Sequence, residues 1–140
     1  MTEEPKLDEE SAQGLARGIS EFNAGLFFEC HDTLEAMWAE SSGEEKRFLQ
    51  GMIQVSVGFY HFSNGNPSGA LSQWGRGAEK LSGFAPVYAG IDVGRLLGNV
   101  REWSAAAVRW LQGETGPAFE LQRPTLEIIH NRLRREPWPQ

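Results

Sequence analysis

Residues 44–62, EEKRFLQGMIQVSVGFYHF, decide the fold. Phe48, Leu49, Met52, Ile53, Val55, Val57, Phe59 and Tyr60 leave this stretch little polar surface, and a helix that is apolar nearly all round belongs at the centre of its bundle. Working outward, the segment from about Leu26 to Glu40 carries Phe27, Phe28, Leu34, Met37 and Trp38 and breaks at Ser41-Ser42-Gly43. Upstream of it, Ala12, Leu15, Ala16, Ile19 and Phe22 keep helical spacing until Asn23-Ala24-Gly25 supplies a stop. On the other side, Asn66 is a natural N-cap, and Pro67 sits where a first helical residue can lack its N–H. The helix so started holds Ala70, Leu71, Trp74, Ala78 and Leu81, with Gly75 and Gly77 marking a close approach of another backbone. Gly83 to Gly90 reads as a loop, about Asp92 to Gln112 as a fifth helix, and Thr125 to Arg135 as a short final helix after a connector. No β-hairpin pattern is visible. The expectation is all-α: a compact bundle of about five to six helices built from helical hairpins. It forms one domain over residues 1–140, with a frayed start (about 1–6) and a tail (about 136–140).

Composition narrows the function. The chain has 140 residues, enough to bury a core without staples. Nineteen acidic against thirteen basic side chains give a net charge of −6, which repels phosphate backbones, so no nucleic-acid partner is expected. Arg132, Arg134 and Arg135 read as cations suited to a helix C-terminus. The start, MTEEPKLDEE, has neither the basic opening nor the apolar run of a secretory signal, and no stretch approaches the roughly 20 apolar residues that span a bilayer. No membrane partner and a cytoplasmic location follow. Trp38, Trp74, Trp103 and Trp110 fall at helical spacing and read as core, with a self-association surface, hence a homo-oligomer, as the alternative.

The densest polar pattern in apolar surroundings lies in the second and third helices. His31 and Glu35 share one helical face, and Trp38 continues it. Gln50, Gln54, Val57 and His61 form a second stripe on the most apolar helix. Buried polar groups need partners, at about 1–3 kcal/mol for each one unmet, so the two stripes are expected to face each other. Two imidazoles and a carboxylate on facing helices suit a divalent metal, the one cofactor these residues permit. His31, Glu35 and His61 are the candidate ligands, Gln50, Gln54 and Trp38 complete the polar cluster, and Glu29 is the candidate general base. A hydrogen-bond network that fixes helix register explains the same residues without a metal. Cys30 reads as an inert small hydrophobe, since His31 diverges from it by about 100° around the helix. Glu127-x-x-His130 is half of a di-iron pair and lacks its second copy.

The runs FNAGLFFECHDTLEAMW, residues 22–38, RFLQGMIQVSVGFYHFSNGNPSGA, residues 47–70, and GIDV, residues 90–93, resemble the domain-of-unknown-function 309 family. These are small prokaryotic all-helical proteins, some catalogued as predicted metal-dependent hydrolases. The resemblance spans roughly Ile19 to Val93 and includes Phe22, Asn23, Gly25, Phe28, Glu29, His31, Leu34, Glu35 and Trp38. It continues through Gln50, Gly51, Gln54, His61, Gly65, Asn66 and Ala70, and departs at Asp32, where a glutamate is expected. It implies a helical fold and leaves function open.

A nucleotide-binding glycine loop, a Gly-x-Ser-x-Gly elbow and zinc-finger spacing are all missing, which removes several enzyme classes. The reading is a binding or interaction domain whose polar cluster is structural. The alternative is a metal-dependent hydrolase using His31, Glu35 and His61.

Overall fold

The computed structural model describes residues 8–114. Five helices follow one another: α1 (Glu9–Asn23), α2 (Phe27–Ala39), α3 (Gly43–Ser63), α4 (Pro67–Leu81) and α5 (Val93–Leu111). Local chemistry sets their ends. Asp8 caps α1 by accepting from the Ser11 N–H at 2.7 Å, and Glu9 and Glu10 in its first turn suit the helix dipole. Asn66 caps α4 through the Gly69 N–H, with Pro67 as the first helical residue, as its sequence predicts. The tight turns before α2 and α4 use Gly25 and Gly65 at positive φ. The segment expected to form a sixth helix lies outside the described residues.

Consecutive helices pack side by side, so the hairpin plan holds: α1 on α2, α2 on α3, α3 on α4 and α4 on α5. Ten of the 21 residues of α3 are buried, which puts it at the centre. Its Phe59 is the hub. That ring meets Phe22 of α1 at 5.7 Å, Phe27 of α2 at 5.4 Å, Trp74 of α4 at 4.8 Å and Trp103 of α5 at 5.8 Å. Aromatic pairs in such edge-on or offset arrangements add roughly 0.5–1.5 kcal/mol each beyond burial. Trp74 is fully buried and Trp103 nearly so, whereas Trp38 and Trp110 are half-buried against the core.

One expectation needs correction. Between α4 and α5 a 3₁₀ turn (Ser82–Phe84) leads into a minimal antiparallel hairpin, β1 (Val87–Tyr88) with β2 (Ile91–Asp92). The turn is Ala89-Gly90, both at positive φ. Two-residue strands cannot show an alternating pattern, and Ala-Gly is not the Asn-Gly that announces such a turn.

Glycines set how closely α3 and α4 approach. A Cβ on Gly77 would sit 2.8 Å from the Gly51 carbonyl oxygen and 2.9 Å from Val55, while one on Gly75 meets nothing within 4 Å among the described residues. Sequence pointed to both glycines; only Gly77 is at the crossing. Gly77→Ala is therefore expected to lower stability by about 1–3 kcal/mol through forced separation of the helices, despite its better helix propensity. Gly75→Ala should raise it by up to ~1 kcal/mol. Urea unfolding of the two variants checks both signs.

Candidate functional site

Helix α2 has two faces. Inward, Cys30 and Leu34 are buried. Glycines bring α1 onto this helix: a Cβ on Gly18 would press on Leu34 and one on Gly14 on Met37. Outward, Glu29, Asp32, Glu35 and Ala36 are exposed. His31 lies between the faces, its side chain 21% exposed. Its Nδ1 is 3.5 Å from Asp32 Oδ1 and its Nε2 is 3.6 Å from Glu35 Oε2. Both separations are too long for good hydrogen bonds, and among the described residues Nδ1 is a buried nitrogen without a hydrogen-bond partner. Such an orphan costs about 1–3 kcal/mol. Ligand-type atoms of His31, Asp32 and Glu35 all lie within 4.8 Å of one another.

His61 stands outside this group. Its Nδ1 is 3.3 Å from the Asn66 amide at the turn into α4. Gln54, on the same stripe, accepts from Lys80 Nζ of α4 at 2.9 Å, so that part of the stripe is turned to α4 rather than to α2. Gln50 is half-buried on α3. Trp38 lies under the Lys46 ammonium, 4.2 Å from the ring centroid, and its indole nitrogen is buried without a partner. Glu35 is exposed, so the cluster expected to be buried is in part a surface feature. Glu29 is exposed in the first turn of α2 and is not in the His31 group.

The polar contact that does join α2 to α3 is Cys30 Sγ with Ser56 Oγ, 3.3 Å apart and buried. Sequence reading singled out Cys30 but not Ser56. A lone hydroxyl between Val55 and Val57 in the most apolar helix was the available signal, because it needs a partner. Burial pushes the thiol from 9.0 up to about 12; the Ser56 hydrogen bond acts against this rise, and the charge of Glu21 adds to it. Cys30 is fully buried, the placement that a small core hydrophobe takes.

Beside Asp32 opens a groove of about 860 Å³ between α1 and α2. Asp8, Glu10, Asp32, Glu40 and Glu45 line it, with Arg17 as the one cation among the described residues. Arg17 is paired with Glu21 at 3.2 Å. Among the described residues, one carboxylate oxygen of Glu45 is buried without a hydrogen-bond partner. Gly14, Ala36 and Met37 give the groove a partly apolar lining. The carboxylates come from three helices, so nothing in their spacing along the chain announced the groove. On the other flank of His31, Phe28 is 48% exposed. Its ring meets His31 and the exposed Tyr60, each at 5.4 Å.

Fold and site together define a helical-hairpin protein whose second helix presents an acidic outer face. Residues 15–73 match the family model described as Domain of unknown function (DUF309), which bears out the resemblance read from the sequence. The match includes His31, Asp32, Glu35 and most of α1 to α4. The chain is also similar to "Uncharacterized protein YpuF" of Bacillus subtilis (strain 168), 36% identical over 83 residues, covering 56% of this chain and 48% of that protein. The chain thus spans about half the length of this curated relative. No helix among the described residues is long and apolar enough to cross a membrane.

The Cys30 environment gives a pH dependence. Because the folded thiol titrates higher than the unfolded one, its contribution to stability is complete below pH 9.0 and is lost as pH rises toward about 12. The slope in that window is at most about 1.4 kcal/mol per pH unit. Unfolding free energies measured from pH 8 upward should fall more steeply for the wild type than for Cys30→Ala, and iodoacetamide should label Cys30 only after unfolding.

Proposed function

We propose that the chain is a binding domain that takes a cationic ligand, such as a basic peptide segment, in the groove between α1 and α2. The observation that carries this reading is the lining: among the described residues, five carboxylates converge on one concavity whose single cation is already paired. Concave sites with a few convergent polar groups are where ligands bind, and an arginine or lysine would supply the hydrogen bond that Glu45 lacks. The apolar lining at Gly14, Ala36 and Met37 suits the aliphatic stem of such a side chain. The single free, buried thiol suits a reducing cytoplasm.

Calorimetric titration with a lysine- and arginine-rich decapeptide tests this. Binding is expected at low salt, to weaken steeply toward 0.5 M salt (roughly a 4 Å screening length), and to be about five- to tenfold weaker in Asp32→Asn/Glu40→Gln. Equal binding by the double variant, or none by the wild type, would contradict the reading.

A second reading, metal-dependent hydrolysis, is favoured by the His31–Asp32–Glu35 group and the unpartnered His31 Nδ1. Ligands about a common zinc at ~2.1 Å are no more than about 4.2 Å apart, so the observed spread of up to 4.8 Å needs side-chain movements of a few tenths of an ångström. His31, Asp32 and Glu35 would hold the ion, which would supply an activated water. Under this reading, zinc, manganese or nickel raises the melting temperature of untagged protein, His31→Ala abolishes the rise and His61→Ala leaves it intact. The initially expected set of His31, Glu35 and His61 instead predicts loss in both variants. No rise with any of the three ions removes both metal sets.

A further inference from the structure

We infer that the groove between α4 and α5 is the docking site of this chain's own C-terminal segment, residues 125–135. This open, largely apolar groove of about 590 Å³ is lined by Leu71, Trp74 and Ala78 of α4 and by Leu97 and Val100 of α5. None of the described helices packs over it, since α5 ends the series of helical neighbours. The last turns of α5 continue the apolar surface toward the chain beyond: Val108 is 42% and Leu111 55% exposed.

The segment that follows has the matching face. In TLEIIHNRLRR, residues 125–135, Leu126, Ile129 and Leu133 fall on one stripe of a helix, while Glu127, Arg132, Arg134 and Arg135 lie away from it. An 11-residue helix of this kind is marginal alone in water and needs a surface to pack on. It would be about 16 Å long, shorter than the roughly 22 Å of α4. Residues 115–124 extend to about 33 Å, enough for the chain to leave α5 and return along it. The arginines suit the acidic α1–α2 groove instead, but that groove offers the apolar stripe only Gly14, Ala36 and Met37. The stripe therefore selects the α4–α5 groove.

Crosslinking in the full chain decides between the two. With Cys30 left in place, its thiol being fully buried, Ser104→Cys at the α4–α5 groove is combined with His130→Cys and treated with a short bis-maleimide. The expected product is a crosslink within one chain, formed at a rate independent of protein concentration. It should form at least tenfold faster than with Ala36→Cys/His130→Cys, which reports on the α1–α2 groove. Adding Leu126→Asp/Leu133→Asp should slow it about tenfold. Faster reaction at position 36, crosslinks only between chains, no crosslink, or a rate indifferent to the two aspartates would each overturn the inference. The outcome is independent of the cationic-ligand reading, which concerns the opposite end of the helix series.

Discussion

The ring of Phe59 is the point on which the rest of the structure depends. It takes one aromatic contact from each of the other four helices, so no helix can shift without disturbing it. The glycines of α3 make this possible. A Cβ on Gly58 would fall 2.4 Å from the Trp74 ring, so the indole can reach Phe59 only because that position is bare. Gly51 of α3 and Gly77 of α4 bring the two backbones close to each other about two turns before Gly58 along α3. Aromatic contacts supply the energy, and the absence of side chains at three positions supplies the geometry.

That core fixes what α2 can offer. With Phe27, Cys30 and Leu34 drawn inward, 3.6 residues per turn leave Asp32, Glu35 and Ala36 facing outward. The polar cluster therefore lies at a seam rather than in a sealed interior: His31 at the edge, carboxylates near each of its ring nitrogens, aromatic rings on one flank and the acidic groove on the other. Under the proposed reading, binding along such a seam needs no opening of the core, so a ligand surface there would be separate from the elements that hold the fold.

Much of the fold was legible in the sequence. The continuous apolar run of α3 marked its centre, Asn66-Pro67 marked the start of α4, and the pair Gly75 and Gly77 marked a close approach without saying that only Gly77 sits at the crossing. The hairpin at Val87–Asp92 escaped because its strands are too short for any period to register. The site was legible by residue but not by direction. His31 with Glu35, and Gln54 with His61, are real stripes, yet a stripe does not say which neighbour it faces. The argument that both must meet assumed burial, whereas Glu35 reaches water and Gln54 finds Lys80 on the other side of α3. Asp32 read as a family departure and became a member of the His31 group. The groove carboxylates are far apart in sequence and converge only through the packing of α1, α2 and α3.

Native-state hydrogen exchange on Phe59→Leu tests the central claim most directly. The substitution keeps an apolar side chain and removes the ring with its four aromatic contacts, at an expected cost of about 2–4 kcal/mol. If this ring ties all five helices together, the slowest-exchanging amides of α1 through α5 lose protection by the same factor, roughly 30-fold or more. A loss confined to α3 and one neighbour, with the other helices exchanging as in the wild type, would show that the helices are held pairwise and that Phe59 is not their common anchor.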